Sequence, residues 1–238
     1  MSDVTPGTKK GEMKEIADQL AQPSLATKKA AMKRIIGAMT YGVDVSPLFT
    51  EIIKNMETPN MELKKLIYLY VINYAKTHPD LIIMAINSFR KDALDKNNPL
   101  LRALAVRTMG CIRVSQITEY LVDPLKAALQ DEDSYVKKTG VICLVKLYES
   151  NPELMDSLRT LPMLENLLTD GNPMVVSNVV AAYGQISEIK GVNLLTINHQ
   201  LAHKLLSAMN EATEWGQTFI LDAFVHYQPR DHNDIEEI

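Results

Sequence analysis

A chain of 238 residues with 46% hydrophobic and 23% charged side chains has the balance of a soluble globular protein and is long enough to bury a substantial core. The net charge of −4 gives no overall basic excess that would favour nucleic acid as a partner. The first 40 residues carry seven basic and four acidic side chains, so a basic amino-terminal end precedes an acidic body.

The cysteine content and the absence of targeting patterns indicate a cytosolic protein. Cys111 and Cys143 both lie in apolar helical runs, where cysteine acts as a small hydrophobic residue. Two such residues in a chain of this length predict a reducing compartment, not a disulfide framework. The amino terminus has no apolar signal-peptide core, and no apolar run reaches the roughly 20 residues of a membrane span.

Nearly every segment has the apolar spacing of an amphipathic helix, and none alternates with the period of a strand. Residues 79–92, for example, place Ile82, Ala85, Ile86 and Phe89 on one stripe. Helix starts are predicted where a capping side chain precedes a proline, whose missing N–H costs nothing at the first helical position. These dipeptides are Ser46-Pro47, Asn98-Pro99, Asp123-Pro124, Asn151-Pro152 and Asn172-Pro173.

The starts of the most apolar helices recur at a nearly constant interval. The predicted caps are Ser24, Asn60, Asn98, Asp133, Asn172 and Thr213, with separations of 36, 38, 35, 39 and 41 residues. A second helix falls in each interval, at 47–56, 79–92, 118–130, 162–168 and 200–209. Two helices at a period near 40 are the signature of HEAT and armadillo arrays, so we expect an all-α solenoid of stacked helix pairs.

The solenoid interpretation has consequences for packing and for function. The inner helices should be apolar on most sides, as 66–72 and 100–106 largely are. The exposed surface is expected to bind other macromolecules. No capping helix is visible after Tyr227-Gln228-Pro229, so the sequence predicts a solenoid that continues in a longer protein.

The sequence contains no pattern of a catalytic or cofactor site. There is no Gly-rich phosphate loop, nucleophile elbow or CxxC pair, and an enzyme is not expected. His199 and His203 have the spacing of a metal pair but no carboxylate at a matching offset, which favours surface histidines. The acidic run 131–133 is expected to supply negative charge to a helix start instead of binding a cation. Trp215 could be a binding hot spot, but packing is favoured.

Two surface features remain as candidate binding sites. The first is the basic amino-terminal end, which could dock on anionic lipid headgroups or could be a solvated helix face. Its members are Lys9, Lys10, Lys28, Lys29 and Lys33. The second is the pair Ile83 and Asn87, which lie one turn apart and off the apolar stripe of helix 79–92. Ile83 is either an exposed contact residue or packs on the neighbouring repeat.

Several long segments resemble the beta large subunits (beta-adaptins) of clathrin adaptor-protein complexes 1 and 2. They are ELKKLIYLYVINYAK at 62–76, NPLLRALAVRTMGCIRV at 98–114 and TEWGQTFILD at 213–222. The likeness covers nearly the whole chain, from Lys9 through ITEYLVDPL (117–125) and NPMVV (172–176). On this basis, residues 1–8 are expected to be a flexible tail and 9–238 the amino-terminal portion of an adaptin trunk.

The resemblance implies a binding function in vesicle-mediated protein transport. Beta-adaptins form the trunk of a heterotetramer with a second large, a medium and a small subunit, which is recruited to the trans-Golgi, endosomes or coated pits. The rest of the trunk, the clathrin-binding hinge and the appendage are absent from this sequence. Clathrin binding is therefore expected only through regions outside it, and no cofactor or metal is implied.

Two surfaces of the family can be carried over by position. In complexes recruited by Arf-family GTPases, the helix matching 79–92 contacts the GTPase, and Ile83, Ile86 and Asn87 occupy matching positions. In the plasma-membrane complex, lysines at the beta amino terminus bind phosphoinositides, and Lys9, Lys10, Lys28 and Lys29 match that pattern. This sequence has Ser24, Leu25 and Thr27 where such relatives carry further basic residues. Lipid binding is therefore expected to be weaker than in the family pattern.

Two hypotheses from other classes remain at this point. A free-standing receptor of the importin type predicts regular acidic or Asn/Trp ladders, and none is seen in the sequence. A purely lipid-responsive peripheral protein predicts liposome binding without any partner, weakened by salt because exposed charges are screened.

Overall fold

The computed structural model describes residues 6–75, 77–112 and 115–229, with the backbone alone described at 6–10 and 115–117. Within these ranges the regular structure is helical, with no strand. The chain divides into two compact units, Met1–Lys91 and Asp92–Ile238.

In the first unit, the described residues form five helices and one 3-10 turn. The helices are α1 (Pro6–Ala21), α2 (Leu25–Thr40), α3 (Phe49–Ile53), α4 (Met61–Ala75) and α5 (Pro79–Ala93, which ends two residues beyond the unit), and the 3-10 turn is Ser46–Leu48. Helix α2 packs between α1 and α4. The tail expected at 1–8 is helical from Pro6, and residues 1–5 lie outside the described residues.

Two buried tyrosines of α4 fix the connection between α2 and α3. The Tyr70 hydroxyl donates to the Val45 carbonyl at 2.8 Å, and the Val45 N–H donates to the Tyr74 hydroxyl oxygen at 3.0 Å. Both backbone groups of a residue that is 1% exposed are thereby satisfied. Burial raises the pKa of Tyr70, with smaller contributions from Tyr74 and Asp44, so its hydroxyl stays protonated and donates.

The second unit holds the remaining helices described. They are α6 (Pro99–Cys111), α7 (Ser115–Leu129), α8 (Ser134–Ser150), α9 (Pro152–Ser157), α10 (Thr160–Leu167), α11 (Pro173–Lys190), α12 (His199–Glu211) and α13 (Glu214–Phe224). Helices α6, α8, α11 and α13 pack in that order, and α7, α10 and α12 pack on them. Helix α8 is buried on most sides, because it contacts α6, α7 and α11.

The six predicted caps are confirmed, and each side-chain oxygen accepts a backbone N–H in the first turn of its helix. Ser24 begins α2, Asn60 α4, Asn98 α6, Asp133 α8, Asn172 α11 and Thr213 α13. The intervening second helices lie at 46–53, 79–93, 115–129, 160–167 and 199–211. The repeat of about 40 residues read from the sequence is therefore a repeat of helix pairs.

One of the five predicted proline boundaries is wrong, and at a second the helical start is confirmed but the predicted cap is not. Asp123-Pro124 lies inside α7, which continues to Leu129. Helix α7 packs on both α6 and α8, and this burial offsets the about 3 kcal/mol that an interior proline costs. At Ser46-Pro47 the serine is the first residue of the 3-10 turn, and the Asp44 carboxylate accepts the Ser46 N–H at 2.9 Å.

Glycine permits a close approach of α7 and α8. A Cβ at Gly140 would lie 3.1 Å from the Ala128 Cβ, 3.2 Å from the Ala128 carbonyl carbon and 3.2 Å from the Leu129 nitrogen. Two of these three neighbours are backbone atoms, which cannot move aside as a flexible side chain can. Gly184, in the interior of α11, has nothing within 4 Å of the same position.

The expectation that 100–106 forms an inner helix packed on most sides is wrong in part. Leu100 is 63% exposed, and Leu101 and Leu104 are half-buried, whereas Ala103, Ala105 and Val106 of the same helix are buried. An apolar run alone does not show which face of an inner helix packs, because alanine can occupy the close contact while leucine stays outside.

Candidate binding surfaces

Helix α5 presents an exposed apolar ridge opposite its buried stripe. The predicted stripe is confirmed, with Ile82 0%, Ala85 0%, Ile86 5% and Phe89 1% exposed, and Phe89 lies edge-on to Tyr68 at 4.7 Å between ring centroids. Ile83 is 52% exposed and Asn87, one turn later, is also exposed. The packing alternative for Ile83 is therefore wrong.

Met84 extends this ridge and was missed in the sequence. It is 51% exposed beside Ile83, although methionine commonly fills gaps in hydrophobic cores. The signal was present, because Met84 follows Ile83 directly and neither residue shares the 82/85/86/89 stripe. Ile83, Met84 and Asn87 are called the α5 ridge below, and Ile86 supports it from the buried side.

At the amino-terminal end the lysines of α2 are paired with a carboxylate. Lys29 and Lys33 reach Glu62 of α4 at 2.5 and 3.0 Å. Hydrogen bonds from the two ammonium groups lower the pKa of Glu62, which keeps it ionised. Lys28 is half-buried, and the side chains of Lys9 and Lys10 lie outside the described residues. An anionic headgroup would have to compete with Glu62 for two of the five predicted lysines.

A recurring ion pair links consecutive repeats of the second unit. Arg102 on α6 contacts Asp131 through two hydrogen bonds of 2.7 and 2.8 Å, with side-chain exposures of 16% and 10%. Lys137 on α8 contacts Asp170 at 2.7 Å. Each basic residue lies four positions after the cap of its own inner helix, and each aspartate two positions before the cap of the next. We call this arrangement the inter-repeat ladder.

The aspartates of the ladder also complete the turns that start the inner helices. Asp131 accepts the N–H of Asp133 at 2.9 Å, and Asp170 accepts that of Asn172 at 2.8 Å. Burial alone would raise the pKa of each carboxyl, but the hydrogen bonds from Arg102 or Lys137 and from these amides lower it overall. The expected role of the acidic run at a helix start is thus confirmed, since Asp133 caps α8.

The remaining candidates of the sequence show no further site in the described part of the chain. His199 and His203 lie with their Nε2 atoms 3.1 Å apart, and no group of three or more potential metal ligands is found among residues 6–75, 77–112 and 115–229. Trp215 is 76% exposed, so the prediction that it packs is wrong. The side chain that anchors α13 is Ile220, which is fully buried.

Comparisons with known proteins identify the family. The family described as Adaptin N terminal region matches residues 8–237. The chain belongs to the adaptin family. It is 53% identical over 231 residues to the AP-1 complex subunit beta of Dictyostelium discoideum and 52% identical over 232 residues to the human AP-1 complex subunit beta-1. Each alignment covers 97% of the chain and 24% of the relative.

A more distant relative also matches nearly the whole chain. The AP-1 complex subunit beta-1 of Saccharomyces cerevisiae is 42% identical over 231 residues, which is 96% of this chain and 32% of the relative. The chain therefore spans about a quarter to a third of the length of these adaptins.

Structural comparison supports the solenoid class. A homology model of the full-length AP-3 complex in an intermediate open conformation matches 92% of this adaptin chain and 35% of its own chain, with a TM-score of 0.65 and 24% identity. A designed armadillo repeat protein matches 91% of the chain and 100% of its own, with a TM-score of 0.58 and 18% identity. The predicted all-α solenoid fold is confirmed, and the relatives do not favour the importin-type alternative. Among the described residues, no helix is long and apolar enough to cross a membrane.

Proposed function

We propose that this chain is a trunk segment of the beta large subunit of a heterotetrameric clathrin adaptor complex, acting in vesicle-mediated intracellular protein transport. The observation that carries the proposal is the identity of 52–53% to AP-1 beta subunits across 97% of the chain. Its mechanism is binding: helical surfaces assemble it with a second large, a medium and a small subunit. The complex would then lie peripherally on coated membranes, and clathrin would bind through other regions of a longer subunit.

The test is affinity purification of the endogenously tagged protein, with mass spectrometry of what co-purifies. Recovery of one second-large, one medium and one small adaptor subunit in stoichiometric amounts is the expected result. The identity of the second large subunit would name the complex. A tagged protein that runs as a monomer and recovers none of the three would contradict the proposal.

We further propose that the α5 ridge contacts an Arf-family GTPase. The matching positions in the family are Ile83, Ile86 and Asn87, and the exposure of Ile83 and Asn87 supports direct contact. Ile86, at 5% exposure, would act by holding the ridge in place and not by touching the partner. Exposed apolar side chains beside an amide suit the core of a protein interface, which is more apolar than the rim and depleted of charged residues.

A charge on the ridge tests the contact. Ile83→Asp should abolish recruitment of the complex to membranes loaded with the GTP-bound GTPase, because an unpaired carboxylate would be buried in the interface. The matched control is Ile189→Asp on α11, since Ile189 is 41% exposed and does not belong to the α5 ridge. Equal recruitment of both variants would remove the ridge from the proposed function.

For the basic end, we propose a weak contact with phosphoinositide headgroups through Lys28, Lys29 and Lys33, with Lys9 and Lys10 as further candidates. Glu62 acts as an internal competitor, because it already holds Lys29 and Lys33. Glu62→Gln should therefore increase sedimentation with phosphoinositide liposomes, and added salt should reduce it. Unchanged sedimentation of Glu62→Gln would argue that these two lysines do not contact lipid.

A further inference from the structure

A narrow groove of about 230 Å³ lies between α6 and α8 in the second unit. Helix α6 contributes Arg107, and α8 contributes residues that recur on one of its faces. They are Tyr135, Lys138, Thr139, Ile142, Cys143 and Lys146. The lining that the structure describes therefore holds three cations and no carboxylate.

The charge of the groove is not cancelled by its own helices. Helix α6 contains no acidic residue, and the single one in α8 is Glu149, which follows Lys146 by three positions and lies outside the lining. The basic residues that the inter-repeat ladder neutralises, Arg102 and Lys137, lie outside the groove. The cations in the groove are thus a different set from those that serve the fold.

Two of the three cations are held in place by neighbours. The Lys146 ammonium donates to the Cys111 sulfur at 3.2 Å, and the Lys138 ammonium lies 5.9 Å from the centre of the Tyr135 ring. Both contacts are weak and leave ammonium hydrogens to donate elsewhere, since a lysine has three donors. Tyr135 and Ile142 are 42% and 39% exposed, so the groove combines positive charge with apolar surface.

The spacing along α8 matches an extended peptide. Lys138, Ile142 and Lys146 follow at four-residue intervals. Along the helix axis, neighbouring members are therefore about 6 Å apart and the two lysines about 12 Å apart. In an extended chain, side chains two residues apart point to the same side and lie about 6.7 Å apart. A peptide with two carboxylates separated by three residues, and an apolar residue midway, would set each side chain opposite its counterpart.

We propose that this groove binds short acidic peptide segments of a partner protein, of the pattern acidic–x–apolar–x–acidic. Lys138 and Lys146 would pair with the two carboxylates, Ile142 would contact the apolar side chain, and Arg107 would add charge from the opposite wall. A membrane surface fits less well, because the cations line a recess between two helices that also includes the buried Cys143. This surface is separate from the α5 ridge and goes beyond the adaptor role.

The test measures fluorescence anisotropy of two labelled peptides of identical composition with the 238-residue chain. GESLSEG has the proposed spacing, and GEELSSG has its carboxylates adjacent. The first should bind about two- to fivefold more tightly, because the second can form only one of the two ion pairs and an exposed ion pair contributes a factor of about two to five. The double variant Lys138→Gln/Lys146→Gln should lower the affinity of the first peptide about five- to twentyfold, since it removes both pairs. Ile142→Ser should also weaken it while leaving both lysines.

The controls separate a specific groove from a general charge effect. Lys96→Gln/Lys126→Gln removes the same charge from the same unit outside the groove and should change affinity less than twofold. Circular dichroism of each variant checks the fold. Equal binding of the two peptides, equal weakening by the control, or no binding at 1 mM peptide would each overturn the proposal. So would binding to phosphatidylserine vesicles that depends on Lys138 and Lys146 when the peptide does not bind. The recovery of adaptor subunits by affinity purification does not depend on this groove. A failure of the peptide-binding proposal would therefore leave the adaptor proposal standing.

Discussion

Replacement of Gly140 by alanine tests how closely α7 and α8 approach each other. In an open helix interior the change from glycine to alanine stabilises by roughly 0.5–1 kcal/mol, because alanine loses less backbone entropy on folding. At Gly140 the new methyl group would lie 3.1–3.2 Å from Ala128 and Leu129. Both helices would have to move apart by a few tenths of an ångström, and overpacking of this kind costs about 1–3 kcal/mol.

Gly184→Ala is the matched control, since it lies in the interior of α11 in the same unit with nothing within 4 Å. It should stabilise by roughly 0.5–1 kcal/mol. The helix-propensity contribution is common to both variants and cancels in the comparison. The difference between their free energies of unfolding should therefore be about 1–3 kcal/mol, with Gly140→Ala the less stable.

The assay is urea unfolding of both variants, monitored by circular dichroism at 222 nm. The dependence of the unfolding free energy on urea concentration should be the same for both variants. Ala128→Gly combined with Gly140→Ala removes the nearest Cβ and should recover part of the loss beyond its own propensity cost. Equal stabilisation by Gly140→Ala and Gly184→Ala would refute the close approach and, with it, the account of how α7 packs on α8.

Asp131→Asn should lower the free energy of unfolding by about 1.5–3 kcal/mol in urea titrations, since it leaves the largely buried Arg102 without its ionic partner. Glu57→Gln, which breaks the exposed pair with Lys91, should cost under about 1 kcal/mol, and equal losses would contradict this ranking. Stability should fall below about pH 4, because the pKa values of Asp131 and Asp170 are lower in the folded than in the unfolded chain. Their contribution is complete above the unfolded value and is lost as the pH falls through the folded one; an acid limb unchanged in Asp131→Asn would argue against it. Cys143, whose thiol pKa is raised to about 12 by burial, should react with a disulfide reagent at pH 8 only after unfolding, and rapid labelling of the native chain would contradict its burial.

The repeat could be predicted from the sequence because its signals are local. A cap such as Asn172 acts on N–H groups two or three residues away, and a spacing between caps needs no knowledge of how helices meet. The failures lie where tertiary contacts decide. Pro124 is tolerated because α7 is packed from two sides, and an apolar helix such as α13 could equally have buried Trp215.

For the candidate surfaces, too, local spacing could be predicted from the sequence, whereas contacts between helices could not. The spacing predicted which face of α5 is buried, but only the structure shows that Ile83 and Met84 protrude. The groove could not be found from sequence, because Arg107 and Lys146 are 39 positions apart and meet only when α6 packs on α8. The same holds for Lys33, whose pairing with Glu62 depends on how α2 meets α4.

The inter-repeat ladder couples the folding of neighbouring helix pairs. A single carboxylate, such as Asp131, accepts hydrogen bonds from two places. Arg102 donates from the preceding inner helix, and the Asp133 N–H donates from the turn that starts the next one. Nucleation of one inner helix thus becomes easier once its predecessor is in place, which is the coupling that makes a one-dimensional array unfold as a block instead of one repeat at a time. Under mechanical load, the loss of one ladder carboxylate should therefore weaken two repeats at once, the one that it holds and the one whose first turn it closes.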